Sequence, residues 1–197
     1  MWGVQGLVNP SIWLVAGLLA SGVPAFGQVD WRGLELPGLK RPVAFFPGPY
    51  ELAQDTVQTD LGLVPSTTYF SRDDDAASGN RLYTVTVIDF AEGTFPPDSL
   101  ARREAFFAST VAAAAEAVSG EVLISQPLER GDEVPAWTFR IDYSAGGQPA
   151  TVRNLAFVRG DRYYHLQVFS LRTDAGTRAR ERFFESFRPL PAPTNQP

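Results

Sequence analysis

Residues that could carry out chemistry are few in this chain of 197 residues. It contains no cysteine and a single histidine, His165, which excludes disulfides, thiolate metal sites and cysteine nucleophiles. A zinc site without cysteine normally uses several histidines, and a catalytic triad would depend on His165 alone. The motifs of phosphate-binding loops, serine hydrolases and zinc proteases are absent from the sequence. We therefore predict no catalytic residue, no metal ligand and no cofactor, and a protein that is not an enzyme.

Three adjacent aspartates, Asp73, Asp74 and Asp75, supply the oxygen ligands that calcium prefers. Consecutive side chains point in different directions, however, and the spacing of an EF-hand is missing. We interpret the run as a solvated turn.

Two arginines, Arg140 and Arg153, form an unusual pair. Gly146-Gly147 suits a two-residue hairpin turn, and this turn places Arg140 directly opposite Arg153. Like charges in that arrangement repel by some tenths of a kcal/mol, unless a carboxylate or an anion lies between them. Asp142, diagonally adjacent, is one candidate for this role and a bound anionic group is the other. Arg140 and Arg153 are thus a candidate anion contact.

One aromatic residue, Phe95, precedes Pro96-Pro97 at the start of a predicted helix. If the ring is exposed, it is a candidate contact for a partner. The alternative is a hydrophobic staple, in which the ring packs back onto the helix.

The amino-acid composition and net charge limit the possible classes of protein further. The net charge is −5 and the basic residues are scattered along the sequence. The chain is therefore a poor candidate for sequence-independent nucleic-acid binding, which needs a concentrated positive surface, and we predict no nucleic-acid partner. With 12% aromatic and 20% charged residues, the chain is globular.

The first 29 residues carry no charge, and their apolar run at 12–19 has the length of a signal-peptide core. We predict a signal peptide over 1–27, cleaved between Gly27 and Gln28, with an uncleaved anchor as the alternative. Without that segment no stable membrane span is expected, and the protein would be periplasmic or secreted. A linker at 28–40, a domain at 41–188 and a proline-rich disordered tail at 189–197 complete the predicted organisation.

Hydrophobic patterns predict two helices among several strands. One helix is capped by Asp98 and ends near Ser119, with an apolar stripe that includes Leu100. The other begins near Thr173 or Asp174 and carries Ala179, Phe183 and Phe187. The predicted strands lie at 43–46, 63–71, 81–90, 121–126, 136–143, 150–158 and 163–171.

The predicted pairing of residues in the last three strands indicates what covers the two faces of the sheet. The turns Gly146-Gly147 and Gly160-Asp161 put Trp137, Ala156 and His165 in one row. Both faces of this sheet are apolar, as expected when helices cover both sides. The predicted fold is α+β: a mainly antiparallel β-sheet flanked by helices on both faces, an α/β/α sandwich.

A family resemblance rests on packing motifs spread over about residues 40 to 190. They are Phe45-Phe46-Pro47-Gly48, the strand 83–90, the helix from Leu100, the segment 160–166 and Phe183-Phe184-Glu185-Ser186-Phe187-Arg188. In these the chain resembles the PsbP-like superfamily, and particularly its exported bacterial members of the DcrB type, although the lipid-anchoring cysteine of that type is absent. The resemblance implies the α/β/α sandwich and a non-enzymatic role in binding or assembly.

The function predicted from the sequence is that of an exported, non-enzymatic binding or accessory protein of the bacterial cell envelope, with an unknown protein or small molecule as partner. Two alternatives stay open. One is a hydrolase with an unrecognised carboxylate pair; the other is a purely structural subunit of an envelope assembly.

Overall fold

The computed structural model describes residues 30–36, 42–59, 62–74, 78–96, 99–128, 136–173 and 175–188. Strand makes up 54% of the described residues and helix 21%. The strands are β1 (Arg32–Leu34), β2 (Ala44–Phe46), β3 (Glu51–Thr59), β4 (Gly62–Arg72), β5 (Asn80–Asp89), β6 (Glu121–Leu128), β7 (Ala136–Ala145), β8 (Gln148–Arg159) and β9 (Arg162–Leu171). The helices are α1 (Leu100–Ala117) and α2 (Thr177–Ser186).

Seven strands form one antiparallel sheet in the order β3-β4-β5-β9-β8-β7-β6, and β1 pairs with β2 in a separate hairpin. Gly146 and Gly147 both have positive φ (58° and 82°), the conformation that a two-residue primed turn requires. This turn sets the register between β7 and β8. The register is the predicted one, since Arg140 pairs with Arg153. Trp137, Ala156 and His165 likewise share one row across β7, β8 and β9.

One side of the sheet, here called the α2 face, buries residues such as Tyr83, Phe157 and Leu166. Phe183 and Phe187 of the C-terminal segment pack into this cluster, as the aromatic pattern predicts. Leu34 and Phe46 of the β1–β2 hairpin are also fully buried in it. A hairpin and one short helix therefore cover the α2 face together.

The opposite side, the α1 face, packs against the longer helix. Phe107, Val111 and Ala114 of α1 are buried there, and Phe107 stacks on Trp137 with ring centroids 5.7 Å apart. Leu100, predicted in the same stripe, is instead 61% exposed. The backbone of α1 lies near β6 and β7. The ring of Phe106 also packs edge-to-face on Tyr163 of β9, with centroids 5.1 Å apart.

The predicted α/β/α sandwich is wrong. The protein is mostly antiparallel β-sheet with two short helices, which do not form layers over both faces. The prediction failed because apolar residues on both faces show only that each face is covered. They do not distinguish a helix from the β1–β2 hairpin that supplies much of the cover on the α2 face.

Several predicted segment boundaries differ from those in the structure. The predicted linker at 28–40 contributes β1, whose Leu34 is fully buried, so its described residues belong to the domain. Strand β3 was not predicted.

Helix α2 begins at Thr177 because Gly176 precedes it with φ of 75°, and a Cβ there would lie 2.1 Å from the carbonyl oxygen of Ser78. Ser99, not Asp98, is the N-cap of α1.

Neither described helix combines the length and the apolar character that a bilayer span requires. The predicted signal peptide, its Gly27–Gln28 cleavage site and the tail at 189–197 lie outside the described residues.

Candidate functional site

A cavity of about 520 Å³ lies on the α2 face, between β7, β8 and the start of α2. Four arginines line it, namely Arg140, Arg153, Arg172 and Arg180. Thr151, Thr173, Thr177 and Glu181 complete the lining. We refer to this cavity as the arginine pocket.

Three structural elements bring the arginines together. Arg140 on β7 pairs with Arg153 on β8, so both side chains leave the sheet on the same face. Arg172 immediately follows β9, whose last residues pair with the start of β8. Arg180 lies one turn after Thr177 on α2, which crosses above the same end of the sheet.

Asp142 neutralises part of this charge. It accepts two hydrogen bonds from Arg140, from Nε at 3.0 Å and from Nη2 at 3.1 Å, and Arg172 lies 3.2 Å away. Burial opposes ionisation of Asp142, but hydrogen bonds from Arg140 and Thr151 and the charges of both arginines outweigh it. The pKa of Asp142 is therefore below its usual value, and the group is a permanent anion at neutral pH.

Arg153 is not neutralised in this way. It is exposed, and no carboxylate of the described residues forms an ion pair with it. The carboxylate that the sequence suggested for both arginines, Asp142, pairs with Arg140 and Arg172 instead.

Arg180 is the buried member of the pocket, with 5% of its surface exposed. Its Nη2 donates to Thr177 Oγ1 at 3.1 Å, whereas its Nε has no hydrogen-bond partner among the described residues. Burial, and then the neighbouring charge of Arg153, lower the pKa of Arg180, although Glu181 acts in the opposite direction. Since a guanidinium remains protonated in proteins, the pocket holds a buried and incompletely paired positive charge.

The charges of the pocket do not balance. Four arginines face two carboxylates, Asp142 and Glu181, which leaves two positive charges in excess. Guanidinium and hydroxyl groups are the donors that bind phosphate and sulfate oxygens in proteins. The arrangement suits a doubly charged anion.

A second cavity of about 260 Å³ adjoins the pocket and shares Arg140 and Arg153 with it. Its walls include the apolar residues Ile124, Leu128 and Phe184, and Glu185 is the carboxylate among its lining residues. We refer to it as the apolar groove.

The only histidine lies on the other side of the sheet. His165 is buried, its Nε2 lies 3.0 Å from Asn154 Oδ1, and its ring packs between Phe139 and Tyr163. Gln167 Nε2 donates to the same Asn154 oxygen at 3.0 Å. Burial lowers the pKa of His165 to about 3. His165 is therefore neutral near pH 7, in a hydrogen-bonded cluster enclosed beneath α1.

Phe95 does not present the exposed ring that a partner contact requires. It is 6% exposed and packs edge-to-face on Phe90 and Phe106, with centroids 5.3 and 4.9 Å away. Asp161 fixes the preceding loop, since its carboxylate accepts hydrogen bonds from the backbone N–H groups of Gly93 and Phe95.

In the aspartate run, Asp73 accepts a hydrogen bond from Ser78 Oγ at 2.7 Å. Asp75 lies outside the described residues, and within the described part of the chain no three His, Asp or Glu side chains form a metal-ligand cluster.

Sequence reasoning found two of the four pocket arginines and missed the others. The predicted strand register brought Arg140 and Arg153 together. Arg172 follows the last strand and Arg180 lies on α2, so neither belongs to the hairpin between β7 and β8. One signal was available for Arg180: it stands three residues before Phe183, which places a charge beside the apolar stripe of the helix.

Comparison with known proteins adds little. No protein-family model matches the chain, and no curated protein matches it. A crystal structure of PA94, a protein of unknown function from Pseudomonas aeruginosa, is similar with a TM-score of 0.43 and 13% sequence identity, over 82% of this chain and 98% of that one. Similarity at this level does not establish a shared fold or role, and the resemblance to the PsbP-like superfamily stays a prediction.

Proposed function

We propose that this is an exported, non-enzymatic binding protein of the cell envelope, whose arginine pocket binds a doubly charged anion of the phosphate or sulfate type. One observation carries the proposal. Arg153 lies directly across from Arg140 without a carboxylate partner among the described residues, in the same pocket as the buried Arg180.

Binding is favoured over hydrolysis by the acid–base properties of the pocket. A general acid needs a carboxyl group whose pKa is raised toward neutrality, whereas the pKa of Asp142 is lowered. His165, the only imidazole, lies on the opposite face of the sheet. The pocket supplies positive charge and hydrogen-bond donors, which are the properties of an anion-binding site.

Calorimetric titration tests the anion site. At about pH 8 and constant ionic strength, phosphate and sulfate should bind saturably to one site, and acetate should bind much more weakly. Arg153→Gln should weaken phosphate binding at least about tenfold, because a hydrogen bond between charged groups contributes roughly 1.5–3 kcal/mol.

Arg102→Gln is the matched control, since Arg102 is exposed on α1 and distant from the pocket lining. It removes the same charge and should leave phosphate affinity unchanged. Equal weakening by both variants, or no saturable binding by the unmodified protein, would contradict the proposal.

Export is supported by the uncharged N-terminal 29 residues and needs its own test. The full chain should be expressed in a bacterial host, and the protein from the periplasm or medium should be sequenced from its N-terminus. We expect Gln28 as the first residue. A product that retains Met1 in the membrane fraction would contradict cleavage and favour the anchor.

A further inference from the structure

The apolar groove meets the arginine pocket at two shared residues. Arg140 and Arg153 line both cavities, so a ligand whose charged end contacts them in the pocket can extend directly into the groove. Ile124 pairs with Arg140 across β6 and β7, which places an apolar side chain beside the guanidinium.

The groove offers apolar surface that the described chain leaves uncovered. Ile124 is 47% exposed on the edge strand β6, whereas Leu128 and Phe184 are partly buried against the core of the α2 face. At about 260 Å³, the groove is smaller than most small-molecule pockets. It has room for a short alkyl or aryl group, and covering Ile124 would remove apolar surface from water.

We infer that the ligand is a phosphate monoester with an apolar substituent, bound with its phosphate in the arginine pocket and its apolar part in the groove. This inference rests on the proposed anion site and specifies its ligand. A phosphate monoester is close to a dianion at neutral pH, since its second pKa is about 6, and it matches the two positive charges in excess. A sulfate monoester carries only one negative charge, and a free dianion would leave the groove empty.

The test compares inorganic phosphate with hexyl phosphate in calorimetric titrations of the full protein at about pH 8. Hexyl phosphate should bind at least about tenfold more tightly, because burial of about two methylene groups suffices for that gain. Hexanol, which lacks the charge, should not bind measurably.

Two neighbouring variants separate the groove from the pocket. Ile124→Ser should remove most of the gain from the hexyl chain and leave the affinity for inorganic phosphate unchanged. Leu123→Ser is the matched control, because Leu123 is 45% exposed on the same strand but does not line the groove. It should change neither affinity.

Two vesicle preparations identify the source of the phosphate. Binding to phosphatidylcholine vesicles only when they contain phosphatidic acid, with loss in Ile124→Ser, would support a lipid monoester. Binding of hexyl phosphate without vesicle binding would support a soluble one.

The inference and the proposed function fail in different ways. Equal affinity for hexyl and inorganic phosphate would overturn the inference and leave the anion site in place, as would equal effects of Ile124→Ser and Leu123→Ser. Binding of neither phosphate compound would overturn both.

Discussion

Two buried polar clusters, one on each face of the sheet, differ in how far their own neighbours satisfy them. On the α1 face, His165, Asn154 and Gln167 are buried, neutral and hydrogen-bonded to one another. On the α2 face, the arginine pocket holds more positive than negative charge, and the Nε of the buried Arg180 has no hydrogen-bond partner among the described residues. The difference between the two polar clusters is whether their own neighbours satisfy them.

This comparison shows how a structural cluster differs from a binding site. A fully hydrogen-bonded network contributes to stability and leaves no donors or charge for a ligand. A cluster with uncompensated charge costs stability when it is empty, and an anion that removes this cost binds there. A residue type is therefore a weaker indicator of function than the pairing of its polar atoms.

The largest effect is expected from Asn154→Leu, which removes the acceptor shared by His165 and Gln167. Two buried donors then lose this partner, so the free energy of unfolding should fall by about 3 kcal/mol. Urea denaturation measures the loss. A decrease of less than about 0.5 kcal/mol would show that the network on the α1 face does not stabilise the fold.

The second-largest effect is expected in the pH dependence of the free energy of unfolding. The pKa of His165 is about 3 in the folded protein and near the ordinary histidine value of about 6.5 in the unfolded chain, so the unfolded chain binds the extra proton between these values. The contribution of His165 is fully present above about pH 6.5 and is lost as the pH falls toward 3, at up to about 1.4 kcal/mol per pH unit.

Urea denaturation of the unmodified protein and His165→Gln between about pH 7 and pH 4 isolates this effect. The variant should lack the histidine contribution and show a flatter dependence. Identical pH profiles would mean that His165 is not held in its neutral form by the fold.

The smallest effect is expected on the α2 face, from Arg153→Glu. The substitution places a carboxylate opposite Arg140 and should raise the free energy of unfolding by some tenths of a kcal/mol without added anion. Phosphate should raise the melting temperature of the unmodified protein and not that of the variant. A variant that is still stabilised by phosphate would locate the anion site elsewhere.

Much of the sheet could be predicted because its signals are local. Gly146-Gly147 and Gly160-Asp161 fix the register of three strands, and this alone brought Arg140 and Arg153 together and put His165 beside Ala156. Phe183 and Phe187 likewise indicated which side of the C-terminal segment is buried.

What could not be predicted depends on contacts between distant segments. The strand β1 is only three residues long and acquires its place by pairing with β2, so its sequence resembles a linker. Arg180 enters the pocket because Gly176 closely approaches Ser78 at the start of α2, a contact that spans nearly a hundred residues. Periodicity within one segment carries no information on such contacts.

NMR of the arginine side chains, with ¹⁵N-labelled arginine and increasing phosphate, tests the anion site most directly. We predict saturable shifts of the Nε–H signals of Arg153 and Arg180, with one dissociation constant for both, and no shift for Arg102 on α1. Signals of Arg153 and Arg180 that stay in place, or that move no more than the signal of Arg102, would contradict an anion site in the arginine pocket.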